Sequence, residues 1–122
     1  MKVLIVDDAS ILRIVLKDIL IEFCKIEKTN IFEASDGIMA IQEYQKVKPD
    51  IVFLDISMPN LGGKDAVRAI IQLDPEAKII MCSSAKDLDV VKECILYGAK
   101  DFLAKPLMPA RVLEAIRNCR NK

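Results

Sequence analysis

The sequence has no histidine, and its four cysteines, Cys24, Cys82, Cys94 and Cys119, form no CxxC pair. The usual zinc-ligand spacings are therefore absent, and the thiols read as small apolar residues of a reducing compartment. Neither charge is in excess. The 18 basic residues face 18 acidic ones, so the total favours neither nucleic acid nor an anionic membrane as partner. No apolar run is long enough to span a bilayer, and the opening MKVLIVDD meets acid too soon for a signal peptide. The expected location is the cytoplasm. Repeats, linkers and low-complexity segments are missing too. A chain of 122 residues, 52% hydrophobic and 30% charged, is expected to form one domain over residues 1–122, with a real core and no second domain.

What is present is a strict alternation of strand and helix signals. Short β-branched runs occur at Val3 to Val6, Ile31 to Ala34, Ile51 to Leu54, Lys78 to Cys82 and Asp101 to Ala104. The first helical pattern is expected to cap at Ser10 and to carry Leu12, Val15, Leu16, Ile19 and Phe23 on its core stripe. The second follows Asp36 and Gly37, with Ala40, Ile41 and Tyr44, and stops before Pro49. The third follows the Gly62, Gly63 turn with Ala66, Val67, Ile70 and Ile71. The fourth covers Asp87 to Leu96 and ends at Gly98, suited to a left-handed cap, and the last starts near Pro109 and runs to the basic end. Repeated βα units with right-handed crossovers predict an α/β fold, a doubly wound parallel sheet of five strands with helices on both faces.

The continuously apolar runs VLIV and IVFL suit strands buried on both faces, so a polar residue directly after one stands at the crevice mouth. Asp7 and Asp8 follow the first run, Asp55 the third, Ser83 the fourth and Lys105 the fifth. Singly, such an aspartate caps a turn and such a lysine is solvated. Together they place three carboxylates in one cleft, which calls for a cation to offset the charge. Oxygen donors favour a hard divalent ion. Magnesium fits this set, whereas calcium lacks an EF-hand pattern. Lys105, held in a turn before Pro106, can reach Asp55 or an anion attached to it, and a cis bond suits that turn. Between Ser83 and Ser84, the residues alone do not decide which hydroxyl serves the cleft.

These motifs, VDD at 6–8, LDISMP at 54–59, IIMCSS at 79–84, GAKDF at 98–102 and KP at 105–106, closely resemble the receiver domains of two-component response regulators. The resemblance spans essentially the whole chain. With DDAS, Leu12, Arg13 and LKDIL in the first helix, it is most similar to stand-alone chemotaxis regulators of the CheY type. It implies a flavodoxin-like fold with strand order 2-1-3-4-5. It also implies that Asp55 is the phosphoacceptor, and that Asp8, Asp55 and the Ser57 carbonyl bind magnesium, with Asp7 acting directly or through water. Lys105 and Ser83 would contact phosphoryl oxygens. Ser83 is preferred because it precedes Lys105 by the family's spacing. Phe102 holds the switch aromatic position. The cation and Lys105 are expected to lower the Asp55 pKa against the repulsion of Asp7 and Asp8.

Two positions depart from the common pattern. Ser84 replaces a frequent alanine, and Phe102 lacks the tyrosine hydroxyl often found there, so the switch would work by packing. The implied partners are a sensor histidine kinase of the CheA type, a motility-apparatus or adaptor protein and a phosphatase, with the chain a monomer that has no output domain. Beyond the core stripe of the first helix, Ile11, Ile14 and Ile21 are apolar. A wide buried stripe explains them, and docking of a kinase or phosphatase is the other reading. The alternative function is a single-domain phosphorelay intermediate. A flavodoxin-like enzyme is a remoter one. Paired acids stand where a flavin phosphate loop needs glycine or hydroxyl residues, and Asp55-Ile56-Ser57 lacks the second acid of a phosphatase DxD.

Overall fold

The computed structural model describes residues 1–120. The strands are β1 (Val3–Val6), β2 (Ile31–Ala34), β3 (Ile51–Asp55), β4 (Ile79–Ser83) and β5 (Asp101–Ala104). The helices are α1 (Ser10–Glu22), α2 (Gly37–Val47), α3 (Gly63–Leu73), α4 (Leu88–Leu96) and α5 (Pro109–Arg120). All strand pairs are parallel and the order is β2-β1-β3-β4-β5, as the resemblance implies. The expectation that α5 continues into the basic end, Asn121 and Lys122, lies outside the described residues.

Alternation along each strand divides the core in two. Leu4, Val6, Val52, Leu54, Ile79 and Met81 face one side and pack with Ala40, Tyr44, Val67, Ile70 and Val91 of α2, α3 and α4. Val3, Ile5, Phe53 and Ile80 face the other, against Leu16, Leu20, Val112 and Ile116 of α1 and α5. Burial on both faces is why β1 and β3 carry no polar residue before their carboxyl ends.

Several local expectations are corrected. Ser10 does not cap α1: it is the first helical residue, and the flanking position is Ala9, whose methyl group can accept no hydrogen bond. The core face of α1 is narrower than its apolar pattern suggests. Leu16, Ile19 and Leu20 are buried, while Leu12, Val15 and Phe23 are exposed along with Ile11 and Ile14. Leu12 and Val15 line an open apolar groove with Phe53 and Leu107, and Ile21 packs against the core instead. Strands β3 and β4 each reach one residue further than their apolar runs, so Asp55 and Ser83 are themselves strand residues, paired in register with Cys82 and Ala104. Helix α2 stops at Lys48, which adopts a left-handed conformation before Pro49, and Gly98 after α4 has φ +123°.

Candidate functional site

The carboxyl ends of β1, β3, β4 and β5 converge because the sheet is parallel and ordered around β1 and β3. Carboxylate oxygens of Asp7, Asp8 and Asp55 lie within 4.8 Å of one another, with Asp7 and Asp55 buried and Asp8 exposed. Lys105 reaches in from the end of β5. Its Nζ donates to Asp55 Oδ1 at 2.9 Å and lies 3.6 Å from Asp7 Oδ2. The lysine's backbone N–H donates to the Ser83 carbonyl at 2.8 Å, and the peptide bond to Pro106 is cis.

Burial pushes the Asp55 carboxyl above the usual carboxylate range, the Lys105 hydrogen bond opposes this, and the Asp7 charge adds to the rise. The expected lowering includes the charge of a bound cation, and this upward direction belongs to the chain without one. A buried strand residue loses more hydration than one lysine restores. Burial also works against the Lys105 charge, but its bond to Asp55 and the charges of both aspartates prevail and hold that pKa above its ordinary value. The two directions agree on one picture: a cleft short of positive charge.

Ser83 is buried, and its Oγ donates to the Ser84 carbonyl at 3.2 Å. The Ser84 hydroxyl is engaged elsewhere, donating to Asp87 Oδ2 at 3.1 Å in the turn before α4. Ser57 stands exposed on the loop two residues beyond Asp55. Phe102 is half-buried and packs against the core shared by α2, α3 and α4. It lies in register beside Met81, on the strand next to Ser83.

The loops bearing the acids are held from outside the cleft. Asp7 Oδ1 accepts from the Ala9 N–H at 2.9 Å, and Arg13 Nη1 donates to the Asp7 carbonyl at 2.6 Å. After Asp55, the Asn60 amide donates to Asp36 Oδ2 at 2.7 Å, while Asp36 caps α2 through the Met39 N–H. The Gly37 N–H donates to the Leu61 carbonyl, at an approach that would place a Cβ 2.3 Å from that oxygen. These supports leave no mark in the pattern of strand ends, because Arg13, Glu33, Asp36 and Asn60 stand off the carboxyl-end positions. The lone acid in β2, Glu33, was the available signal for Arg13.

The family model described as "Response regulator receiver domain" matches residues 3–117. The chain belongs to this family. Its similarity to the chemotaxis protein CheY of Thermotoga maritima is 47% identity over 115 residues, covering 94% of this chain and 93% of that protein. With the chemotaxis protein CheY of Bacillus subtilis it is 42% over 120 residues, covering 98% of each. Among solved structures, the CheX-CheY-BeF3-Mg+2 complex from Borrelia burgdorferi gives a TM-score of 0.87 at 34% identity, covering 100% of this chain and 90% of the matched one. The receiver is therefore of the CheY type, as its motifs indicated, and its acidic cleft is a group that could hold a metal ion. Among the described residues, no helix is long and apolar enough to cross a membrane.

Proposed function

We propose that this receiver is a chemotaxis switch, phosphorylated on Asp55 by a sensor histidine kinase of the CheA type. The carrying observation is the 2.9 Å contact of Lys105 with Asp55 beside the carboxylates of Asp7 and Asp8. Three clustered carboxylates with one lysine beside two of them form a hard, under-neutralised donor set that fits magnesium, with Asp7, Asp8, Asp55 and the Ser57 carbonyl as its holders. When bound there, the metal supplies charge neutralisation on the transferring oxygens.

The chain's own residues do the rest. An Asp55 carboxylate oxygen attacks the phosphorus of a phosphohistidine. The new O–P bond forms as the P–N bond breaks, and the imidazole nitrogen leaves with the bonding pair. Lys105 exchanges its hold on Asp55 for a phosphoryl oxygen. Ser83 turns its hydroxyl from the Ser84 carbonyl to another. The phosphoryl group, carrying roughly 1.5 to 2 negative charges in place of the carboxylate's single one, is then read through Phe102, which packs into the space Ser83 leaves. This repacks the surface of α4, β5 and α5. Aromatic NMR tests the coupling: unchanged Phe102 rotamer populations with a phosphoryl mimic would remove it.

Output passes in trans to a motility-apparatus or adaptor protein, and a phosphatase resets the site. The chain acts as a cytoplasmic monomer and single domain. The Borrelia complex, which holds CheX, BeF3 and Mg+2 with a CheY, supports both the metal and an adaptor or phosphatase partner. The deciding experiment is phosphate incorporation from acetyl phosphate or phosphoramidate, with and without magnesium, in the native chain and in Asp55→Asn. Magnesium-dependent, acid-stable and alkali-labile labelling lost in the variant is expected. No labelling of folded native protein would end the reading.

A further inference from the structure

Arg13 lies one turn into α1, outside the cleft, yet it touches the backbone that carries two of the three acids. Its Nη1 donates to the Asp7 carbonyl at 2.6 Å, and its Nε donates to Glu33 Oε1 at 3.1 Å. Glu33 projects from the neighbouring strand β2 and is held at its second oxygen by Lys17 Nζ, at 3.0 Å. The Lys17 hydrogen bond, opposed by burial and joined by Arg13, keeps the Glu33 carboxyl below its usual range. The Arg13 side chain is only 19% exposed, so its planar fork is confined to this geometry.

We infer that Arg13, oriented by Glu33, is a positioning residue that fixes the β1–α1 loop so that Asp7 and Asp8 present their carboxylates to a cation beside Asp55. The inference rests on the proposed metal-binding role of the cleft. The physical reason is local. Past Val6 the β1 ladder continues only through the Asp7 N–H to the Ala34 carbonyl, at 3.2 Å. Without Arg13 the carbonyl of the same residue loses this donor, and the loop carrying Asp8 keeps the Ala9 N–H bond to Asp7 Oδ1 at 2.9 Å. Outer partners of this kind typically set metal affinity by factors of about 10 to 100.

The sign of the effect separates positioning from plain electrostatics. Removing a cation near three carboxylates should tighten divalent-ion binding by Coulomb attraction alone. Removing a positioning residue should weaken it. Lys17 is the control, since it shares Glu33 with Arg13 but has no contact with the Asp7 carbonyl among its hydrogen bonds. The test is Mn2+ binding, read from the free-ion EPR signal, in the native chain, Arg13→Ala and Lys17→Ala, with folding checked by circular dichroism. Arg13→Ala should bind roughly tenfold more weakly, with Lys17→Ala unchanged or slightly tighter. Arg13→Gln, neutral but able to fill the same space, should weaken binding in the same sense and serves if the alanine variant fails to fold. Unchanged or tighter binding in the folded Arg13 variants overturns the inference. Equal weakening in Lys17→Ala does so as well. A native chain that takes up no Mn2+ would overturn the proposed metal site and this inference with it.

Discussion

Gly63 opens α3 against the backbone of Asp55: a Cβ there would lie 2.4 Å from the Asp55 carbonyl oxygen and 2.7 Å from Ile56 Cα. The neighbours are main chain at a strand end, which cannot rotate away as a side chain can. Gly63→Ala is therefore expected to destabilise the protein by about 2 kcal/mol, the cost of overpacking. Urea unfolding measures this directly. A change within error would mean that α3 can shift away freely.

Asp55 is held above its ordinary pKa, burial being the main cause. Because the folded value exceeds the unfolded one, its contribution to stability is complete below the ordinary carboxylate range and is lost as pH rises through the folded value. Metal-free Asp55→Asn should then be more stable than the native chain, and the gap should widen as pH rises through that window. Urea midpoints across a pH series check it, and a gap independent of pH would contradict the assigned cause.

The three clustered carboxylates, two of them beside Lys105, should make a divalent ion a stabilising ligand. Magnesium at about a hundred times its dissociation constant is expected to add about 2.7 kcal/mol, seen as a rise in thermal midpoint. Asp8→Ala removes an exposed carboxylate, a proposed ligand, from a loop and should abolish most of the rise without unfolding the chain. A full rise in that variant would exclude Asp8 from the site.

Burial pushes the Cys82 thiol up to about 12 and the Cys94 thiol up to about 11, whereas Cys24 is only half-buried and its rise is opposed by Arg117. Iodoacetamide should modify Cys24 well before either of the others, since the thiolate is the reactive form. Peptide mass spectrometry of a time course gives the order. Early loss of Cys82 would show that the core beneath Lys105 opens readily.

Much of this molecule is legible along the chain. The five strands, the five helices and the polar residues ending each apolar run are one-dimensional facts, and parallel pairing turns them into a cleft. Asp7, Asp8, Asp55, Ser83 and Lys105 could be named because β1 and β3, buried on both faces, tolerate no polar residue until they leave the core.

Tertiary structure decided what depends on neighbours distant in sequence. The apolar pattern of α1 has two candidate faces, and only the position of the sheet shows that Leu16, Ile19 and Leu20 are covered while Leu12 and Val15 are not. For the chain without a cation, the direction of the Asp55 shift is set first by the dehydration of a strand end, which no spacing reveals. Arg13 with Glu33, and Asn60 with Asp36, meet across separate elements, so those supports exist only after folding. Local patterning selects which residues are polar at a strand end; long-range packing sets their solvation and their supports, and these govern their chemistry.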